Sequence, residues 1–150
     1  MGTNAYLGMS NTASNNSVLV TGTNGTGTAS LLSITGDLYV GHEGSGNSLV
    51  ISNGGRVANR SGTVGYQSDS SNNSVLVTGE GSLWTNSGDL YVGYDGSSNS
   101  LVISNGGTVA NSIGYIGFTT DSPNNRVLVT DGGTWTNSST ITVGRDGSGN

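Results

Sequence analysis

The chain repeats itself about every 26 residues. Tripeptides of bulky aliphatic residues recur at intervals of 31, 26, 26 and 26 residues, at 18–20, 49–51, 75–77, 101–103 and 127–129. A fixed period of this length is typical of a solenoid, in which one unit cannot bury its apolar face alone and stacks on its neighbours. The longer first interval indicates an insertion of about five residues near 23–27, which we expect to form a surface loop.

Each period contains three short runs rich in strand-forming residues, for example 74–79, 82–86 and 89–93, separated by Gly, Ser, Asn and Asp. Such runs, bounded by turn residues, predict strands of about five residues, and no stretch has helical spacing. An antiparallel sandwich would not explain why each position resembles the one 26 residues later. The sequence therefore predicts an all-β, right-handed parallel β-helix of five to six coils, forming a single domain over residues 1–150.

The full repeat is a pair of coils. Residues 36–59 and 88–111 are 52 positions apart and agree at 20 of 24 positions. Alternation along the strands places one set of apolar residues in the interior. A further predicted interior column alternates in size, and its members are Leu32, Val57, Trp84, Val109 and Trp135. Neighbouring coils must therefore fill this column unequally.

Two other columns predict how the corners are built. A glycine follows an aliphatic residue once per coil, at Gly8, Gly41, Gly65, Gly93, Gly117 and Gly144. Glycine suits a corner with positive φ or a crowded backbone. An asparagine precedes each aliphatic tripeptide, at Asn16, Asn47, Asn73, Asn99 and Asn125, and the series continues at Asn150. We expect these amides to pass hydrogen bonds from coil to coil.

Charge excludes one class of partner. Only 9% of residues are charged, the net charge is −5, there is no lysine, and the four arginines are scattered. Binding to nucleic acid through phosphates needs clustered basic residues, so we expect no nucleic-acid partner. No run of about 18 apolar residues is present, so we expect no membrane-spanning segment.

The phrases "GDLYVG" and "GSGNSLVISNGGRVAN" resemble the repeats in passenger regions of large Gram-negative autotransporters and related surface proteins. The resemblance covers essentially the whole chain. It implies a secreted β-helical stalk on the outer surface of a Gram-negative bacterium, and it brings no shared catalytic residue. Because the sequence starts and stops inside its own repeat, we expect a fragment of a longer array.

Acidic residues form a further column, four positions before the asparagines. Its members are Glu43, Asp69, Asp95, Asp121 and Asp146. Asp, Ser and Asn oxygens at alternate positions suit a hard cation such as Ca²⁺, so these residues are weak candidate metal ligands. The same residues are also what a tight turn uses, and we favour that interpretation. The sequence therefore predicts no cofactor, with calcium at this column as the alternative.

Tyrosines mark the middle of the third strand, at Tyr39, Tyr91 and Tyr115, with Tyr6 in the first coil. They are weak candidates for stacking on sugar rings. We favour the alternative, a ladder in which they stack on each other. A catalytic role is not predicted, because the single histidine, His42, is replaced by Tyr, Phe or Arg in the other coils.

These patterns predict a non-catalytic, structural and adhesive module of a bacterial cell-surface or extracellular protein. Its expected partners are neighbouring coils, copies of itself, glycans, or a host or matrix surface. Two alternatives stay open. One is a β-helix that binds or cleaves carbohydrate, and the other is a filament subunit that stacks end to end.

Overall fold

The computed structural model describes residues 2–150 as a β-solenoid built from three parallel sheets. The first sheet contains β1 (Ala5–Leu7), β4 (Leu38–Val40), β7 (Gly62–Val64), β10 (Leu90–Val92), β13 (Gly114–Ile116) and β16 (Ile141–Val143). The second contains β2 (Ser17–Thr21), β5 (Ser48–Ser52), β8 (Ser74–Thr78), β11 (Ser100–Ser104) and β14 (Arg126–Val129). The third contains β3 (Leu31–Ser33), β6 (Arg56–Asn59), β9 (Leu83–Asn86), β12 (Thr108–Asn111) and β15 (Thr134–Asn137).

The strand register places equivalent residues on each other. Leu101 of β11 pairs with Val75 of β8 on one side and with Val127 of β14 on the other. The predicted all-β solenoid with three parallel strands per coil is therefore confirmed. No helix within residues 2–150 is long and apolar enough to cross a membrane.

The interior is a continuous apolar column, because every second side chain of each strand points inward. Val75, Val77, Leu101 and Ile103 are at most 1% exposed. In the predicted interior column whose side chains alternate in size, Val57, Trp84 and Val109 are fully buried. Leu32 and Trp135 of the same column are partly buried against the core.

The insertion near residues 23–27 lies on the surface. An isolated antiparallel bridge joins Thr23 to Ala29 and closes the loop. Within it, the Asn24 side-chain oxygen accepts hydrogen bonds from the backbone N–H groups of Thr26 and Thr28, at 3.0 and 2.8 Å. The loop is therefore held together by its own hydrogen bonds, while β2 and β3 on either side of it pair in the regular sheets.

The alternation of two coil types has a packing cause. A Cβ at Gly62 would lie 2.6 Å from Cζ2 of Trp84, and one at Gly114 would lie 2.6 Å from Cζ2 of Trp135. Each indole therefore extends over a glycine of the preceding coil. Its Nε1 also donates to an asparagine of that coil, with Trp84 bonded to Asn59 at 2.7 Å. A Trp coil thus needs a glycine-containing coil before it.

Candidate functional site

One corner of the solenoid is held by an asparagine ladder. Its members Asn47, Asn73, Asn99 and Asn125 are at most 1% exposed. Each Oδ1 accepts from the backbone N–H and the Nδ2 of the preceding asparagine, as Asn99 does from Asn73 at 2.8 and 3.1 Å. The ladder begins at Asn16, and Asn150 accepts from the backbone N–H of Asn125 at 2.8 Å.

The corner glycines make room for this ladder. Gly41, Gly65, Gly93, Gly117 and Gly144 all have positive φ, between 63° and 79°. A Cβ on Gly41, Gly65, Gly93 or Gly117 would overlap the side chain of the ladder asparagine in the following coil. The two columns seen in the sequence are therefore one structural unit.

A second asparagine column, not predicted from the sequence, lies at the ends of the strands of the third sheet. It consists of Asn59, Asn86, Asn111 and Asn137 at the ends of β6, β9, β12 and β15. Asn59 Nδ2 donates to Asn86 at 2.7 Å, and Asn111 Nδ2 donates to Asn137 at 2.7 Å. These residues are visible in the sequence as the "VAN" and "WTN" endings, spaced 25 to 27 residues apart.

An aromatic strip runs along the first sheet and its adjoining corner. We define it as Tyr6, Tyr39, His42, Tyr66, Tyr91, Tyr94, Tyr115 and Phe118, which include all six tyrosines of the chain, its one phenylalanine and its one histidine. Neighbouring ring centroids are 4.8 to 5.2 Å apart. The guanidinium of Arg145 lies 4.2 Å from the centre of the Phe118 ring.

The strip consists of two groups of rings. The first is Tyr6, Tyr39, His42 and Tyr66, and the second is Tyr91, Tyr94, Tyr115 and Phe118. Thr63 lies between Tyr39 and Tyr91 in the first sheet and is 5% exposed. The groups meet at Tyr66 and Tyr94, whose centroids are 5.1 Å apart. Such offset-stacked and edge-to-face contacts each contribute about 0.5–1.5 kcal/mol beyond area burial.

Ring packing limits what the predicted tyrosines can bind. Tyr39 stacks on Tyr6 with an interplanar angle of 5°, and Tyr91 stacks on Tyr115 with an angle of 10°. One face of each ring is thus occupied by another ring, and ring edges contact them from the corner. The tyrosines therefore stack on each other as the ladder interpretation expects, and binding of sugar rings at them stays a prediction.

Four members of the strip lie at the corner, and they are His42 and the residues that replace it in later coils, Tyr66, Tyr94 and Phe118. Their replacement by one another in the sequence did not predict that they contact the strand tyrosines. The available signal is their position, three residues after the middle of the third strand, as His42 follows Tyr39. The corner folds these residues back beside the strand tyrosines. His42 stacks on Tyr66 at 5.0 Å and meets Tyr39 edge to face at 5.2 Å.

Two aspartates precede strand tyrosines and differ in their partners. Asp37 accepts from Arg60 at 2.9 and 2.6 Å and from the backbone N–H of Ser61 at 3.1 Å. The hydrogen bonds from Arg60 lower the pKa of Asp37, against the opposing effect of burial. Asp89 instead accepts from the backbone N–H of Ile113 at 3.2 Å and from the Tyr91 hydroxyl at 3.5 Å.

The two tyrosines respond to burial and to these carboxylates. Burial, aided by the charge of Asp89, raises the pKa of Tyr91 to about 12. Burial and the charge of Asp37 also raise the pKa of Tyr39 above its usual range. Both phenols are therefore protonated at neutral pH.

The predicted acidic column lies in the turns that follow the corner glycines. Asp69, Asp121 and Asp146 are exposed, whereas Glu43 and Asp95 are half-buried. Asp95 accepts a hydrogen bond from the Thr119 hydroxyl at 2.5 Å. Within residues 2–150, no three His, Asp or Glu side chains come together as metal ligands. Calcium binding at this column stays a prediction.

The second sheet presents an outward aliphatic stripe that the sequence analysis did not identify. It consists of Leu19, Val50, Leu76, Val102 and Leu128, which pair in register across all five strands. Leu19 is 63% exposed, and the others are half-buried. Serine and threonine hydroxyls flank the stripe, and Ser104 shares a hydrogen bond with Thr78 at 3.0 Å.

Comparisons with protein-family models, with curated proteins and with solved structures find no match to this chain. The resemblance to autotransporter passenger repeats therefore stays a prediction.

Proposed function

We propose that the chain is a non-catalytic, structural and adhesive module of a bacterial cell-surface or extracellular protein. The observation that carries the proposal is the continuity of its side-chain ladders. The corner asparagines hydrogen-bond from coil to coil between Asn16 and Asn150, alongside three uninterrupted parallel sheets. Extracellular location on a Gram-negative bacterium is the part of the proposal that rests on the repeat resemblance.

The ladders support a rigid, load-bearing role. Each coil is joined to the next by backbone hydrogen bonds in three sheets, by buried amides at the corner, and by aromatic contacts on the first sheet. Solenoid stability is a sum of such nearest-neighbour terms, so every added coil extends the rod with the same surfaces at a fixed pitch. Repetition of one surface also allows multivalent binding.

The adhesive part of the proposal is supported by the aliphatic stripe. It combines partly exposed apolar surface with adjacent hydroxyls on a parallel sheet. Apolar surface rimmed by polar groups is a common feature of interaction sites. The aromatic strip contributes less, because one face of each stacked tyrosine ring is already occupied by another ring.

A binding screen tests this proposal. The chain would be presented to glycans and to extracellular-matrix proteins, with calcium and with a chelator. We expect binding to at least one of these surfaces. The double variant Leu76→Ser/Val102→Ser should weaken it about tenfold or more, and Leu83→Ser on the third sheet serves as the matched control. No binding in either calcium condition would contradict adhesion and leave the structural role alone.

Stacking of solenoid copies end to end is a second candidate, supported by one observation. An apolar hollow of about 250 Å³ lies at the first coil and is lined by Leu7, Val18, Leu32, Leu38 and Leu49. A second copy stacked on this coil would cover the hollow. Light scattering across a range of protein concentrations tests this candidate, with association expected to increase with concentration. A stable monomer at high concentration would contradict it.

A further inference from the structure

The pair Tyr91 and Tyr115 has the geometry for a covalent reaction between coils. The two residues pair directly between β10 and β13, and their ring centroids are 4.9 Å apart with an interplanar angle of 10°. Phe118 meets both rings edge to face, at 5.2 and 4.9 Å. Both tyrosines are half-buried, so their rings are packed against neighbours and still partly accessible to solvent.

Oxidation of a phenol by one electron makes its hydroxyl strongly acidic, so the proton must be transferred as the electron leaves. The Tyr91 hydroxyl donates to Oδ2 of Asp89 at 3.5 Å. Because Tyr91 is protonated at neutral pH, a carboxylate base beside it is the group needed to accept that proton.

We propose that Tyr91 and Tyr115 form an oxidative cross-linking site, at which a one-electron oxidant such as a peroxidase joins adjacent coils through dityrosine. Each phenol gives one electron to the oxidant and loses its hydroxyl proton, that of Tyr91 to Asp89. The two phenoxyl radicals then couple through ring carbons ortho to the oxygens. The hydrogens on those two carbons transfer to the oxygens and restore both phenols. The product has lost two electrons and two protons and has gained one carbon–carbon bond.

The chain contains an internal comparison for this reaction. Tyr6 and Tyr39 stack in the same way, at 5.1 Å and 5°. Asp37, the counterpart of Asp89, is held by Arg60 and makes no hydrogen bond to Tyr39. Without a hydrogen-bonded carboxylate base, the Tyr6–Tyr39 pair should couple more slowly than the Tyr91–Tyr115 pair. The inference is independent of the adhesive role.

Peroxidase and hydrogen peroxide, applied to the dilute folded chain, provide the test. We expect dityrosine fluorescence in the monomer fraction, a mass lower by two hydrogens, and a cross-linked peptide pair containing Tyr91 and Tyr115. Tyr115→Phe should remove that product. Tyr66→Phe is the matched control and should retain it, and circular dichroism verifies that both variants fold.

The role of Asp89 is tested by the initial rate of coupling as a function of pH. Asp89→Asn should lower the initial rate about tenfold at neutral pH. In this variant the increase of the rate with pH should move toward the pH at which the phenol itself ionises. Asp37→Asn should leave the Tyr91–Tyr115 rate unchanged. A merely structural role for Asp89 would change the yield without changing the pH profile, which would overturn the assignment of Asp89 as proton acceptor.

Three results would overturn the cross-linking site itself. One is dityrosine confined to dimers of the chain, which would indicate collision between molecules. Another is the absence of the Tyr91–Tyr115 peptide pair from the oxidised monomer, whereas equal coupling of the Tyr6–Tyr39 and Tyr91–Tyr115 pairs would overturn only the role of Asp89. The third is the same ratio of products in urea-unfolded protein, which would show that the folded geometry does not direct the reaction.

Discussion

Removal of one amide from the middle of the corner ladder should cost far more stability than removal of one from its first coil. Asn99 Oδ1 accepts from the backbone N–H of Asn73 at 2.8 Å, and Asn99 Nδ2 donates to the carbonyl of Ser70 at 3.2 Å. Both of those residues are fully buried. In Asn99→Ala, the Asn73 N–H and the Ser70 carbonyl lose these hydrogen bonds where water cannot replace them.

The size of the effect follows from the number of buried groups. Each buried polar group without a partner costs about 1–3 kcal/mol, so Asn99→Ala should lower the free energy of unfolding by about 2–6 kcal/mol. Asn16→Ala is the matched control, because Asn16 is exposed and Asn47 Oδ1 keeps its bond from the Asn16 backbone N–H at 3.0 Å. We expect that control to cost about 1 kcal/mol or less.

Urea unfolding followed by far-ultraviolet circular dichroism measures both variants. The midpoint for Asn99→Ala should fall well below that of Asn16→Ala at a similar slope. Equal midpoint shifts for the two variants would refute the reasoning, since they would show that burial of the unpaired groups does not set the cost.

Three further perturbations follow from other contacts. Gly62→Ala should destabilise the chain by about 1–3 kcal/mol in urea unfolding through collision with Trp84, whereas Gly25→Ala, in open space, should be near neutral. The lowered pKa of Asp37 stabilises the fold above the unfolded carboxyl pKa of about 3.9, so this contribution should disappear as pH falls below that value. Asp37→Asn should therefore show a shallower acid transition, and an equally steep one would contradict this. The raised pKa of Tyr91 stabilises the fold below about pH 10 and is lost as pH rises toward about 12. Tyr91→Phe should flatten alkaline unfolding, and absorbance at alkaline pH should show one fewer late-ionising phenol.

The fold could be predicted from the sequence because a solenoid repeats its environment. Val75, Leu101 and Val127 occupy the same position in successive coils, so the 26-residue spacing directly reports which residues pair. The period-2 alternation then assigns the interior. No long-range pairing had to be guessed, since each strand pairs with the strand one coil away.

The sites were less predictable, because their contacts cross between columns. Alternation along one strand identifies the tyrosines of the first sheet, but Tyr94 approaches Tyr91 only after the chain turns at the positive-φ glycine Gly93. The direction of a side chain beyond a corner is set by that turn, which periodicity does not describe. The aliphatic stripe was missed for a different reason. Its residues, such as Leu76 and Val102, lie within an all-aliphatic tripeptide whose outward member resembles its buried neighbours.

The 52-residue period reflects a constraint that acts between coils. The corner asparagines place the same group in every coil, so any coil can follow any other at that corner. The tryptophan column differs, because Trp84 occupies space left by Gly62 and donates to Asn59, both in the preceding coil. Leu90 holds, in the coil of Trp84, the position that Gly62 holds in the coil before it. A second Trp coil stacked on the coil of Trp84 would therefore place its indole against Leu90 instead of a glycine. Two glycine coils in succession would leave a cavity. The unit that packs completely is therefore a pair of coils. The duplicated segments 36–59 and 88–111 each end at the asparagine, Asn59 or Asn111, that accepts the indole hydrogen bond of the next coil.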